Sequence, residues 1–103
     1  MPKLIRDKIP QIIKDSGKTC VAYIATPEEY KYFLREKLKE EMNELLVEPC
    51  AEEFADLIEV VNAYAASLGI TQEQLKDTGR NKRVERGAFD CGIILEQVEN
   101  KKF

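Results

Sequence analysis

Histidine and tryptophan are both absent from the chain. The missing histidine is the more informative. It excludes Ser-His-Asp and Cys-His catalysis, histidine-containing zinc sites, and the di-iron bundle built on Glu-x-x-His. Cysteine is sparse: Cys20, Cys50 and Cys91 are odd in number and scattered, which suits reduced thiols better than a disulfide frame or a zinc site. No apolar run is long enough to span a membrane and no signal peptide opens the chain, so the expectation is a cytoplasmic protein with no membrane partner. Phosphate-cradling loops of the Gly-x-x-x-x-Gly-Lys and Gly-x-Gly-x-x-Gly kinds are also lacking. The net charge of -3 argues against a general nucleic-acid binder, so any basic site must be local.

What is present describes a globular chain. Its 103 residues, 44% hydrophobic and 34% charged, suit one domain spanning 1–103. A domain this small gains from oligomerisation. With histidine gone, oxygen ligands remain for metal chemistry, and carboxylates suit hard cations such as Mg²⁺ or Mn²⁺.

Local signals place four helical pieces. A short one runs from Pro10 to about Asp15, with Gly17 as its stop. A long one begins with Thr26 as N-cap, Pro27 at its first position and Glu29 completing a capping box, and runs to about Val47. After a break at Pro49 another continues to Leu68 and ends at Gly69. A weaker one starts near Thr71, interrupted by Gly79, and turns basic at Lys76, Arg80, Lys82, Arg83 and Arg86. Cys20 to Ile24 and Gly92 to Val98 read as strands that pair near the termini. The expected fold is mainly α, a helical-bundle core with a small two-stranded β ribbon.

Two acidic motifs sit on the consecutive central helices: Glu41-Met42-Asn43-Glu44 and Glu53-Phe54-Ala55-Asp56. A three-residue spacing projects each pair from one side of one helical turn. Folded back as a hairpin, the two helices bring four carboxylates toward one spot. On the first, Tyr30, Leu34, Leu38 and Leu45 form an apolar stripe, and Glu41 falls inside it, about 20° from Leu34. A carboxylate on a core-facing side needs a partner, because burying it alone is costly. On the second, Phe54, Leu57, Ile58, Val61, Ala65 and Leu68 form the main stripe, flanked by Glu53 and Asp56 together with Val60 and Ala63. That helix is apolar on more than one side and should be surrounded, which points to a homodimer or dimer of dimers.

Plainer readings exist for each feature. Acidic pairs on charged helices are commonly solvated faces, and Lys37 stands four residues before Glu41 as a ready ion-pair partner. A basic run such as Lys76 to Arg86 is more often a solvated helix end than a phosphate clamp. The tyrosines and phenylalanines suit core or interface positions better than base stacking.

The stretches Lys37-Leu38-Lys39-Glu40-Glu41-Met42-Asn43-Glu44-Leu45 and Glu53-Phe54-Ala55-Asp56-Leu57-Ile58-Glu59-Val60 resemble the all-α nucleotide pyrophosphohydrolase superfamily of MazG-like and phosphoribosyl-ATP pyrophosphohydrolase-like proteins. The opening Lys3 to Pro10 and the late Lys82 to Phe89 are similar to a short MazG-like subgroup, so the resemblance touches most of the chain. The segment between the acidic motifs is shorter than in many members. The resemblance implies hydrolysis of a nucleoside triphosphate, including non-canonical ones, to monophosphate and pyrophosphate. It implies Mg²⁺ bound by Glu41, Glu44, Glu53 and Asp56, with Mn²⁺ as a substitute. A neighbouring acid would take a proton from the attacking water, and Glu40 or whichever motif acid stays free can do so. Arg6, Lys8, Lys82 and Arg86 are the candidates for neutralising the outer phosphates. Phosphoribosyl-ATP hydrolysis and a non-catalytic helical dimer that binds nucleotide or metal remain the alternatives.

Overall fold

The computed structural model describes residues 2–99. Its four helices are α1 (Ile9–Asp15), α2 (Pro27–Val47), α3 (Ala51–Ser67) and α4 (Gln72–Arg86). The chain forms two compact units, residues 1–72 and 73–103. The first holds α1, α2 and α3.

The start of α2 follows from the chemistry of four residues. The Thr26 hydroxyl accepts from the Glu29 backbone N–H at 3.2 Å, and the Glu29 carboxylate accepts from the Thr26 N–H at 3.1 Å. Pro27 supplies a pre-set φ at the first helical position. These bonds hold the Glu29 carboxyl below the ordinary glutamate range, the backbone bond from Thr26 being the largest cause. The helix ends at Glu48, and Pro49 and the extended Cys50 lead directly into α3. So short a link forces α3 back along α2, and the two helices pack on each other. At the far end of α3 the chain turns through Gly69, whose φ of +82° is the left-handed conformation glycine tolerates best.

Between these helices lie Leu34, 1% exposed, and Glu41, 5% exposed. Leu38 and Leu45 are half-buried along the same face of α2, as the stripe requires, while Tyr30 is at its open end. The face of α3 that turns inward differs from the expected one. Glu53, Asp56, Leu57, Val60 and Ala63 are half-buried, whereas Phe54 and Ile58 are 51% and 58% exposed and Val61 and Leu68 are also exposed. The acidic flank packs inward, and most of the main apolar stripe faces outward. Both sides of α3 are apolar enough to bury, and the three-residue link fixes which side reaches α2.

Two further expectations are corrected. No strand occurs among the described residues: neither Cys20 to Ile24 nor Gly92 to Val98 is in a ribbon. An isolated two-stranded ribbon is marginal in water without a packed face. Here Val21, Ile24, Ile93, Ile94, Leu95 and Val98 are all exposed, so neither segment has one. Nor does Gly79 interrupt α4, which runs unbroken from Gln72 to Arg86. One internal glycine costs about 1 kcal/mol. Arg83 and Arg86 in the last turn offset part of that by facing the negative end of the helix dipole.

Candidate metal centre

Glu41 enters the site from the second half of α2, and Glu53 and Asp56 from the first two turns of α3. One carboxylate oxygen from each lies within 4.8 Å of the other two. At that separation and an effective dielectric of ~20, two like charges repel by about 3.5 kcal/mol. Burial adds to the strain. The Oε2 atoms of Glu41 and Glu53 are enclosed and have no hydrogen-bond partner.

The positive charge within reach is limited. Lys37 Nζ lies 3.4 Å from Glu41 Oε1 and 3.3 Å from Glu40 Oε2, one ammonium divided between two carboxylates. Arg6 reaches from the segment before α1 to α3, where its Nη2 donates to Asp56 Oδ1 at 2.7 Å. The Glu41 carboxyl is pushed above the ordinary glutamate range, first by burial and further by the charges of Glu44 and Asp56; Lys37 opposes the rise.

Arg6, Lys37, Glu41 and Asp56 border a cleft of about 750 Å³. Glu41, Asp56, Val60 and Ala63 form its helical wall, and Arg6 and Lys8 line it from the N-terminal segment. A second cavity of about 950 Å³ shares the segment Lys3 to Asp7 and is walled by Tyr23, Tyr30, Phe33 and the chain from Val21 to Ala25. Both cavities include Arg6 and Tyr30 in their walls.

Of the four acids expected to meet, the structure therefore gathers three: Glu41, Glu53 and Asp56. Glu44 is exposed and outside that group, although Glu41 feels its charge. Glu40 is half-buried and engaged by Lys37. Arg6 and Lys8 both line the cleft. Lys82 and Arg86 stand on the last turns of α4, in the second unit. Sequence reasoning passed over Lys37 as a site residue. Its four-residue spacing before Glu41 was visible, but a Lys–Glu pair at that spacing is ordinary on any helix.

Whether the residues suit a divalent cation is answered by their chemistry. All three converging donors are carboxylate oxygens, the ligands of hard cations. Two of the groups carry a buried oxygen with no donor, a state that an added positive charge relieves. The fit is good. No helix among the described residues is long and apolar enough to cross a membrane. No known protein family matches the chain, no curated protein is similar to it, and no solved structure matches it.

Proposed function

We propose that this chain is a metal-dependent nucleotide pyrophosphohydrolase that cleaves a nucleoside triphosphate to monophosphate and pyrophosphate. The observation that carries the reading is the convergence of Glu41, Glu53 and Asp56, with unpartnered buried oxygens on two of them. Those three would hold Mg²⁺ or Mn²⁺, and Glu44, one turn beyond Glu41, would join them. When bound, the ion offsets phosphate charge and makes a water more acidic. The remaining roles belong to the protein. Glu40, or a motif acid left free, accepts a proton from the attacking water. Arg6 and Lys8 neutralise outer phosphates from the cleft wall. The apolar cavity beside the cleft offers room for the nucleoside. The outward stripe of Phe54, Ile58, Val61 and Leu68 supports association as a homodimer or dimer of dimers.

The test is pyrophosphate release from standard and modified nucleoside triphosphates and from phosphoribosyl-ATP, with and without Mg²⁺. Release should require the ion and fall at least about a hundredfold in Glu41→Gln and Asp56→Asn. Preference for phosphoribosyl-ATP would redirect the reading to that substrate. Metal binding without release from any compound would instead indicate a non-catalytic regulator. Full activity in Glu41→Gln would overturn the placement of the centre.

A further inference from the structure

Lys37 is the cation whose position the proposed reaction leaves unexplained. Its side chain is only 18% exposed, and it lines the same cleft as Glu41, Asp56, Arg6 and Lys8. Lys3, Arg6 and Lys8 approach that cleft from the chain preceding α1, whereas Lys37 is fixed at the middle of α2.

Support of the helix accounts poorly for this placement. Within a helix an acid preceding its base by four residues is the favourable order, and Lys37 with Glu41 has the reverse. Its ammonium is also not committed to one partner. It divides between Glu40 and Glu41 at 3.3 and 3.4 Å, while Arg6 holds Asp56 at 2.7 Å. Glu40, Glu41, Glu53 and Asp56 are four formal negative charges, set against two positive ones on Lys37 and Arg6. The acids of this cluster outnumber the cations paired with them, and a divalent cation would cancel that excess. Once it is cancelled, the acids no longer require the ammonium, which is held by long contacts at the cleft wall.

We propose that Lys37 is a phosphate-binding residue: a divalent cation at Glu41, Glu53 and Asp56 releases its ammonium from Glu40 and Glu41 to bind the phosphate groups of the ligand. The proposal rests on the metal centre described above. Lys37 thus competes with the cation for the acids, then cooperates with it toward a polyanion. The two steps have opposite signatures on removal of the charge, which a purely structural lysine would not show.

The experiment compares the native chain with Lys37→Met, Lys37→Gln and Lys37→Arg. Mn²⁺ affinity is read from the free-ion electron paramagnetic resonance signal, and inorganic pyrophosphate affinity by calorimetry at saturating Mg²⁺. Circular dichroism confirms that each variant is folded, and Lys37→Gln serves if Lys37→Met is not. The neutral variants should bind Mn²⁺ as tightly as the native chain or severalfold more tightly. They should bind pyrophosphate about tenfold or more weakly, with Lys37→Arg recovering part of the loss. Unchanged pyrophosphate affinity in a folded neutral variant overturns the proposal, as does weakening of Mn²⁺ and pyrophosphate together. If the native chain itself binds no Mn²⁺, the metal centre fails and the role of Lys37 falls with it.

Discussion

Burial of the Glu41 carboxyl sets the ionic balance of the cleft. Its raised pKa, caused first by burial, means that the folded chain holds this proton more tightly than the unfolded chain does. Stability from that proton is complete below the ordinary glutamate range and is lost as pH rises through the raised value. Glu41→Gln keeps the shape without the charge. Without divalent ions it should therefore be more stable than the native chain at neutral pH, by an amount of order ~1 kcal/mol. The advantage should shrink as pH falls toward the glutamate range. Urea unfolding of both proteins across that range tests this, and taking their difference removes the opposite contribution of Glu29. Mg²⁺ should reverse the order, because it favours the charged carboxylate. Lower stability of Glu41→Gln at every pH would show that Lys37 already compensates the buried charge. Glu41 was also the most legible residue in the sequence, since its place on the Leu34 stripe follows from helical geometry alone. Lys37 was not, because spacing cannot reveal that an ammonium is mostly buried and shared.

At the scale of elements, local chemistry was readable wherever a few neighbouring residues decide the outcome. Thr26, Pro27 and Glu29 specify the start of α2, and both reciprocal bonds form. Thr26→Ala removes one of them and should cost about 1 kcal/mol, visible as a lowered midpoint in thermal unfolding. An unchanged midpoint would mean that packing alone holds the first turn. Elements that depend on distant partners were less legible. The apolar runs from Cys20 and from Gly92 satisfy strand propensity, yet propensity provides no sheet to join. In α3 the difficulty was phase. Apolar residues lie on two sides, and periodicity cannot decide which one the three-residue link at Glu48, Pro49 and Cys50 turns toward α2.

For the molecule as a whole, that choice of side has a consequence. Phe54, Ile58 and Val61 on α3, with Leu68 just past its end, remain exposed, an apolar row of the kind that association covers. If a second copy covers it, Ile58→Lys should shift the native dimer or tetramer to monomer in size-exclusion chromatography with light scattering. A native chain that is already monomeric at micromolar concentration would remove the self-association reading. The helical class of the molecule and the meeting of its acidic motifs were both legible, since each follows from helix period and a tight link. Its division at residue 72 was not, because no linker composition marks the passage from Gly69 to α4.

The most direct measurement of the central claim is the Mn²⁺-induced broadening of amide resonances in the native chain and in Glu53→Gln. The account predicts broadening centred on Glu41, Glu53, Asp56 and the Arg6 segment at low Mn²⁺, and its loss in the variant. Broadening spread over exposed acids such as Glu36, Glu48 and Glu52, unchanged by the substitution, would contradict it.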